Sequence, residues 1–166
     1  MNPGGVAGPY DIKTGGQLFS MLRDEALPAA APGTVAISHV YDVVAAHLAA
    51  VTKGRNGERY LLGSEDVGIV DFIREMAHVA GVDKVPNRAP AFALKCFGRL
   101  SVMIAGLTGK GPDMTPEIAE FLSARGTSYC SDKAARRLGY RVRPMADAVR
   151  DGYDWLVKEG LLDSRG

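Results

Sequence analysis

One glycine–lysine stretch in this sequence has residue types that could bind a phosphate group. Residues Gly106–Gly111 look like a phosphate-binding loop. The stretch lacks the spacing of a Walker A loop and the Ser or Thr that must follow its lysine, and it follows a predicted helix rather than a strand. It is therefore predicted to be a turn that ends a helix.

The histidines and cysteines are the next candidates for chemistry. His39, His47 and His78 have no metal-ligand spacing. Cys96 and Cys130 form neither a disulfide framework nor a zinc site, so we expect no metal and a reducing, cytoplasmic location. His39 is expected to be a structural histidine at the end of a strand, with a substrate contact as the alternative.

The stretch Ile37–Val51, which begins as a strand and ends as a helix, is the unit that positions the rest of the chain. Val35 and Ile37 alternate with small residues, which is typical of a strand. Asp42 is expected to cap the helix that follows. The helix itself is rich in alanine and has no breaker, and we expect it to bury Leu48 against a sheet. The pattern predicts half of a parallel β-α-β unit.

Apolar periodicity and capping residues predict the other elements. They are a helix at Thr14–Leu27, a strand at Tyr60–Ser64, a helix with an Ile69–Ala80 stripe capped by Ser64 or Asp66, a helix at Thr115–Ala124, a helix capped by Ser131 or Asp132 that runs to Leu138, and a last helix from Pro144. The segment Pro28–Pro32 is too rich in proline and alanine to assign.

The segment 89–107 is the most apolar part of the chain, but Lys95 and Arg99 interrupt it. A transmembrane helix needs roughly twenty apolar residues with few charges, so this segment falls short of one. We expect a helix that is buried or lines a cleft, with a helix lying on a membrane surface as the alternative.

Length and composition exclude several classes of protein. The chain has 166 residues, which fits one domain over residues 1–166. Its formal net charge is +1, so nothing indicates binding to nucleic acid. The first residues have neither the basic nor the apolar region of a signal peptide.

Four motifs resemble the extended short-chain dehydrogenase/reductases, the family of the nucleotide-sugar epimerases and dihydroflavonol reductases. They are the His-Val-x-Asp-Val run from His39, the Asn-Pro and Gly-Pro-x-Asp pattern of residues 2–11, the tyrosine–glycine pattern of residues 57–63, and the Ser-x-Lys-Ala-x-x-x-Leu-Gly-Tyr run of residues 131–140. The last of these is the most specific, and in the family it docks the tail onto the substrate lobe. The resemblance covers nearly the whole chain but only the C-terminal part of the family pattern.

The resemblance implies an α/β fold: the C-terminal part of a doubly wound, Rossmann-like NAD(P)-binding fold with a mostly helical substrate-binding lobe. Asn2, Pro3 and Val6 would then lie beside the nicotinamide of NAD or NADP. Tyr10 would lie at the mouth of the substrate cleft, with His39 as the second candidate for a substrate contact. The implied function is the substrate-binding portion of an NAD(P)-dependent oxidoreductase or epimerase/dehydratase.

The catalytic machinery of the family is expected to be absent from this chain. A glycine-rich turn that holds the pyrophosphate and a catalytic Tyr-x-x-x-Lys pair both belong to the N-terminal half of the family. Tyr129 and Lys133 have the spacing of that pair, but they lie across a predicted helix start and inside the tail motif. We therefore predict no catalytic residue, and no cofactor bound by this chain alone.

The sequence is consistent with three hypotheses. The chain is a truncated piece of an extended reductase, inactive alone, or it is a freestanding, non-catalytic domain that binds a protein partner or itself. The third is attachment to a membrane surface through residues 89–107. We expect the chain to form a dimer or a larger assembly, with the strand edge near Val35–Ile37 or Tyr60–Leu62 at or near the interface.

Overall fold

The chain has a mixed α/β fold, as predicted. The computed structural model describes residues 1–64, 66–109, 111–112, 114–124 and 130–162. The strands in these ranges are β1 (Asn2–Pro3), β2 (Gly5–Ala7), β3 (Thr34–His39), β4 (Leu61–Leu62) and β5 (Asp66–Gly68). The helices are a π-helix at Ile12–Gly16 and then α1 (Gln17–Arg23), α2 (Val40–Lys53), α3 (Ile69–Ala80), α4 (Ala91–Thr108), α5 (Pro116–Ser123), α6 (Asp132–Leu138) and α7 (Met145–Lys158).

The strands form two small sheets, and the N-terminal segment contributes one strand to each of them. β1 pairs in parallel with β4, and after Gly4 the chain continues as β2, which pairs in parallel with β3. The other edge of β3 pairs with β5 in the antiparallel direction. Both predicted caps of α3 are wrong, because Ser64 precedes β5, Asp66 lies within it, and the helix begins only at Ile69.

The predicted strand–helix unit is present as β3 and α2, but its cap differs from the prediction. Nδ1 of His39 accepts a hydrogen bond from the Tyr41 N–H at 3.1 Å, so His39 is the cap. Asp42 is nearly buried in the first turn, where its carboxylate lies 2.9 Å from Arg143 Nε. The expected Asp42 cap is therefore wrong: the preceding ring reaches the free helix N–H groups, and the carboxylate turns toward the segment before α7.

α2 buries one narrow face, which Val43 and Ala46 occupy. Leu48 is 68% exposed, so its predicted burial is wrong. Successive helical residues are separated by about 100°, so Leu48 lies roughly opposite Ala46. The exposed apolar residues of this helix, called here the outer row of α2, are Tyr41, Val44, Leu48 and Val51.

The largest core cluster joins α1, α3 and α7. The predicted stripe of α3 is confirmed, with Ile73 and Met76 buried and Gly81 ending the helix at a φ of 70°. Leu22 of α1 and Leu156 of α7 pack into the same cluster. These three helices also form part of the wall of the candidate site.

The tail motif, residues 131–140, packs against helix α2 and strand β4. Ala134 and Leu138 of α6 and the adjacent Tyr140 are buried against Val43 and Leu62. Gly139 ends α6 in the left-handed conformation, at a φ of 73°. The tail is thus held by apolar burial against the strand–helix unit.

The helix hairpin of α4 and α5 departs most from the sequence expectation. Gly98 lies against α5, and a Cβ there would meet the Thr115 carbonyl oxygen at 3.0 Å. Phe92 and Met103 of α4 are nevertheless largely exposed, and only Leu94 reaches the cavity described below. The predicted burial of this helix is wrong along most of its length, because contact with one neighbouring helix covers only a narrow face. Every helix in the described ranges is too short or too polar to cross a membrane.

Candidate functional site

An apolar cavity of about 550 Å³ lies between β2, β3 and the helices α1, α3 and α7. The α4–α5 hairpin adds Leu94, Met114 and Phe121 to its lining. Sites for small molecules typically enclose about 300–1,000 Å³ with mainly apolar walls. This cavity is therefore the candidate binding site.

The turn after β2 shapes the edge of this cavity. Gly8 has a φ of 131°, a conformation that side chains other than glycine rarely adopt. A Cβ at this position would also lie 2.9 Å from Cγ1 of Val40. Glycine therefore lets the chain turn from β2 into the π-helix while it stays close to the start of α2.

The three predicted nicotinamide-side residues do not lie in one place. Asn2 and Pro3 are exposed on β1, where the Asn2 N–H donates to the Tyr60 carbonyl at 2.9 Å. Val6 is 38% exposed and, with Gly5, lines the cavity. Of the three predicted positions, Val6 is the one that the structure places at the cavity.

Tyr10 lies next to the cavity on the exposed turn that follows Gly8. Its side chain is 68% exposed, and its ring stacks on Trp155 of α7 with the centroids 4.9 Å apart. Both neighbours of the turn, Gly8 and Asp11, line the cavity, whereas Tyr10 itself does not. Contact between Tyr10 and a substrate stays a prediction.

Asp11 is the charged side chain in the described part of the lining. Its Oδ1 accepts from the Thr14 N–H at 2.9 Å, and its Oδ2 accepts from the Gly15 N–H at 2.8 Å. Its main-chain oxygen also accepts from the Gly16 N–H at 2.9 Å. The carboxylate therefore fills the start of the π-helix and already uses both of its oxygens.

His39 is buried, with 1% of its surface exposed, and both of its ring nitrogens have partners. Nδ1 accepts from Tyr41, and Nε2 lies 3.0 Å from Oδ2 of Asp151 on α7. Because Nδ1 is an acceptor, the proton of the neutral ring is on Nε2, which donates to Asp151. This geometry ties the end of β3 to α7 and favours the structural role. A substrate contact by His39 stays a prediction.

A buried hydroxyl network joins the tail to the sheet. The Tyr140 hydroxyl donates to Ser38 Oγ at 3.2 Å, and Ser38 Oγ donates to the Leu62 carbonyl at 3.1 Å. Burial raises the pKa of Tyr140, the hydrogen bond with Ser38 opposes this rise, and the carboxylate of Asp42 adds to it. The hydroxyl is therefore neutral and serves as a structural donor.

Lys133, half of the Tyr-x-x-x-Lys spacing, has structural partners. Its Nζ lies 3.4 Å from Glu58 Oε2 and 4.9 Å from the centre of the Tyr60 ring. Tyr129 lies outside the described residues. The hydrogen bond from the Tyr60 hydroxyl is the main cause that lowers the pKa of Glu58; desolvation opposes it, and the hydrogen bond and charge of Lys133 add to the lowering.

The glycine–lysine stretch, residues 106–111, contains the C-terminal end of helix α4, as predicted. α4 ends at Thr108, and Gly109 follows with a φ of 69°. Lys110 lies outside the described residues.

Part of the cavity wall comes from a segment that the sequence left unassigned. Ala30 forms a parallel bridge with Arg88, and its N–H donates to the Asn87 carbonyl at 2.9 Å. Arg88 Nη2 also donates to the Pro32 carbonyl at 3.1 Å. These contacts join positions far apart in the chain, so no local sequence pattern indicates them.

The apolar stripe of α3 was visible in the sequence, but its periodicity does not distinguish a helix face in the core from one that lines a cavity.

Sequence comparison connects the chain with one reductase. No family model matches it. A curated protein of Synechocystis sp. named "Putative dihydroflavonol 4-reductase" is 26% identical over 172 residues, which cover 99% of this chain and 50% of that protein.

Solved structures extend this likeness to the fold. The crystal structure of gox2253 matches with a TM-score of 0.76 and 32% identity, over 98% of this chain and 49% of that one. PA4631, a nucleoside-diphosphate-sugar epimerase from Pseudomonas aeruginosa, matches with a TM-score of 0.68 and 25% identity, over 97% of this chain and 48% of that one. UDP-glucuronic acid 4-epimerase from Bacillus cereus, in complex with UDP-glucuronic acid and NAD, shares the fold at 17% identity and a TM-score of 0.62, over 95% of this chain and 44% of that one.

These matches define the class of protein to which the chain is similar: reductases and nucleotide-sugar epimerases that share a Rossmann-like fold. The predicted resemblance to the extended short-chain dehydrogenase/reductases is confirmed. The chain spans about half the length of the relatives that it matches.

Proposed function

We propose that this chain supplies the substrate side of an NAD(P)-dependent oxidoreductase or epimerase/dehydratase. The observation that carries the proposal is the cavity lined by Gly5 and Val6. By resemblance to the family, this same segment would lie beside the nicotinamide ring. A substrate in the cavity would then lie against the reactive end of the cofactor.

In this proposal the residues of the chain hold and orient rather than react. The bound nicotinamide cofactor would carry the redox chemistry of the reaction. Val6, together with exposed Asn2 and Pro3, would contact the cofactor. Tyr10 and His39 are the proposed substrate-side residues. His39 is buried, so any effect it has on substrate would pass through Asp151 and the position of α7.

A chimera tests the proposal directly. The part of gox2253 that this chain does not match would be joined to residues 1–166, and the binding and oxidation of NADPH and NADH measured with a panel of carbonyl compounds. We expect the chimera to bind a cofactor and to oxidise it in the presence of a carbonyl substrate. Val6→Trp should reduce kcat/KM at least tenfold, because it fills the space between the cofactor and the cavity.

The control for this variant is Val51→Trp, at an 82% exposed position of the outer row of α2. It should leave kcat/KM within about twofold, a free-energy change below about 0.5 kcal/mol. A folded chimera that binds cofactor but responds equally to both tryptophans, or to neither, contradicts the proposed role of the cavity.

Cofactor binding by the chain alone is a separate measurement. We expect calorimetric titration with NADH or NADPH to show weak or no binding, because this sequence lacks the Gly-x-x-Gly-x-x-Gly pattern of the family turn that holds the pyrophosphate. Micromolar affinity for either cofactor would refute this expectation.

The alternative proposal is a non-catalytic domain, residues 1–166, that associates with itself. The observation in its favour is the outer row of α2, an exposed apolar stripe on a helix that buries only one narrow face. Sedimentation at tens of micromolar would then show a dimer or a larger assembly, and Leu48→Glu should shift it to monomer. A wild-type chain that sediments as a sharply melting monomer would count against this alternative.

A further inference from the structure

The cavity wall carries information about the kind of substrate that it fits. Of the described residues that line it, Asp11 is the only one with a charged side chain, and Thr14 is the only other one with a polar side chain. The remainder are glycines, alanines and large apolar residues such as Phe19, Phe72 and Met76. We infer that the substrate of this site is an uncharged, largely apolar molecule with a ring system, and not a nucleoside diphosphate sugar. This inference rests on the proposed function.

A nucleoside diphosphate needs donors that this wall does not offer. Diphosphates are usually bound by arginine or lysine, or by the free N–H groups at a helix start. No lysine or arginine is among the described lining residues. The one charge present, on Asp11, is negative and repels a phosphate group.

Some N–H groups at two helix starts beside the cavity already have partners within the chain. Asp11 takes the Thr14 and Gly15 N–H groups at the start of the π-helix. At the start of α3, the Ile69 N–H donates to the Gly33 carbonyl at 3.0 Å. These three N–H groups are therefore not free to bind a phosphate group.

The aromatic and sulfur side chains of the wall suit a flat apolar ring. Phe72 of α3 and, from the hairpin side, Met114 and Phe121 line the cavity with part of their surface exposed, whereas Phe19 and Met76 are almost fully buried in the core. Burial of an apolar ring is worth about 25 cal/mol for each Å² removed from water. Methionine sulfur and aromatic edges add favourable contacts with rings. The cavity thus recognises its ligand by shape and apolar area.

The test uses N-phenyl-1-naphthylamine, an uncharged two-ring fluorophore whose emission rises in apolar surroundings. We expect the whole chain to bind it with saturation at micromolar concentration, and UDP-glucose at millimolar concentration not to displace it. Leu94→Lys places a charge in the wall from α4 and should weaken binding at least tenfold.

The matched control is Leu100→Lys, on the same helix but outside this lining and 48% exposed. It should leave affinity for the fluorophore within twofold. Leu94→Gln is the second wall variant, and thermal melting confirms that each variant is folded. If both wall variants unfold, the inference is decided by the wild-type competition with UDP-glucose.

Each contrary result has a distinct meaning. Equal weakening by Leu94→Lys and Leu100→Lys would mean that the fluorophore binds the exposed face of α4, and it would overturn the inference. Displacement by UDP-glucose, or no saturable binding, would also overturn it. None of these results depends on a cofactor, whereas failure of the proposed function would appear in the chimera as absent cofactor-dependent turnover.

Discussion

Gly152 of α7 lies against the main chain of Gly8, and a methyl group at Gly152 would come within 3.2 Å of the carbonyl carbon and oxygen of Gly8. The last helix therefore touches the turn after β2 through two glycines. This contact brings Val149 and Leu156 of α7 into the cavity wall. The position of the cavity therefore depends on glycine, with no side chain, at both Gly8 and Gly152.

Gly152→Ala should lower the free energy of unfolding by about 1–2 kcal/mol. Overpacking typically costs about 1–3 kcal/mol, and the gain in helix propensity offsets up to about 1 kcal/mol of it. Gly106→Ala is the matched control, since a Cβ there meets no described atom within 4 Å. It should raise stability by about 0.5–1 kcal/mol. Urea denaturation of both variants would show opposite signs, and a stabilising Gly152→Ala would mean that α7 can move away from Gly8 without loss.

The ion pair of Asp42 and Arg143 should contribute measurably to stability. Asp42 is nearly buried, whereas the Arg143 side chain is about half exposed, with Nε 2.9 Å from the carboxylate. Arg143→Ala should cost about 1–2 kcal/mol, less than a fully buried pair because water screens the arginine. Arg150→Ala removes the exposed pair with Asp147, at 3.7 Å, and should cost less than about 0.5 kcal/mol. If chemical denaturation shows that Arg143→Ala and Arg150→Ala lower the free energy of unfolding equally, burial of Asp42 does not strengthen its ion pair with Arg143.

The raised pKa of Tyr140 predicts a loss of stability in alkali. Burial is the main cause of the rise, and Asp42 adds to it against the hydrogen bond with Ser38. In the unfolded chain a tyrosine ionises near pH 10, so the unfolded state releases this proton first. Stability that depends on the neutral hydroxyl is therefore complete below about pH 10 and is lost as the pH rises through the higher folded pKa.

Tyr140→Phe tests this dependence, with Tyr10→Phe as an exposed control. At neutral pH Tyr140→Phe should cost about 0.5–1.5 kcal/mol, the value of one hydrogen bond. Between about pH 9 and about pH 11 it should lose less stability than the wild-type chain does. Melting curves across this range give the comparison, and parallel curves for the wild-type chain and Tyr140→Phe would contradict the assignment.

A pair of leucines distinguishes the two faces of the central helix. Leu48 is exposed on the outer row of α2, whereas Leu138 is 4% exposed in the cluster that α6 forms with α2. Leu48→Ala should change the free energy of unfolding by less than about 0.5 kcal/mol. Leu138→Ala should reduce it by about 2–5 kcal/mol. A large loss for Leu48→Ala, measured by denaturation at low protein concentration, would show that this face is covered in solution.

Local chemistry made several elements visible in the sequence itself. Thr115 caps α5 and Pro116 begins it, as predicted, because a hydroxyl acceptor and a fixed φ act within one helical turn. Gly81 and Gly139 end α3 and α6 for a similar reason, since only the backbone of the glycine itself is involved. The strand at residues 34–39 and the family resemblance were also readable without coordinates.

Tertiary structure decided which of these surfaces and side chains find partners. The sequence did not show that His39 would cap α2, that Asp42 would pair with Arg143, or that most of α4 would stay exposed. The reason is separation along the chain: Asp42 and Arg143 are 101 positions apart, and His39 and Asp151 are 112 apart. Periodicity identifies the apolar face of a helix or strand. Whether that face is buried depends on which distant element packs against it. A cavity forms where several elements surround a space without filling it.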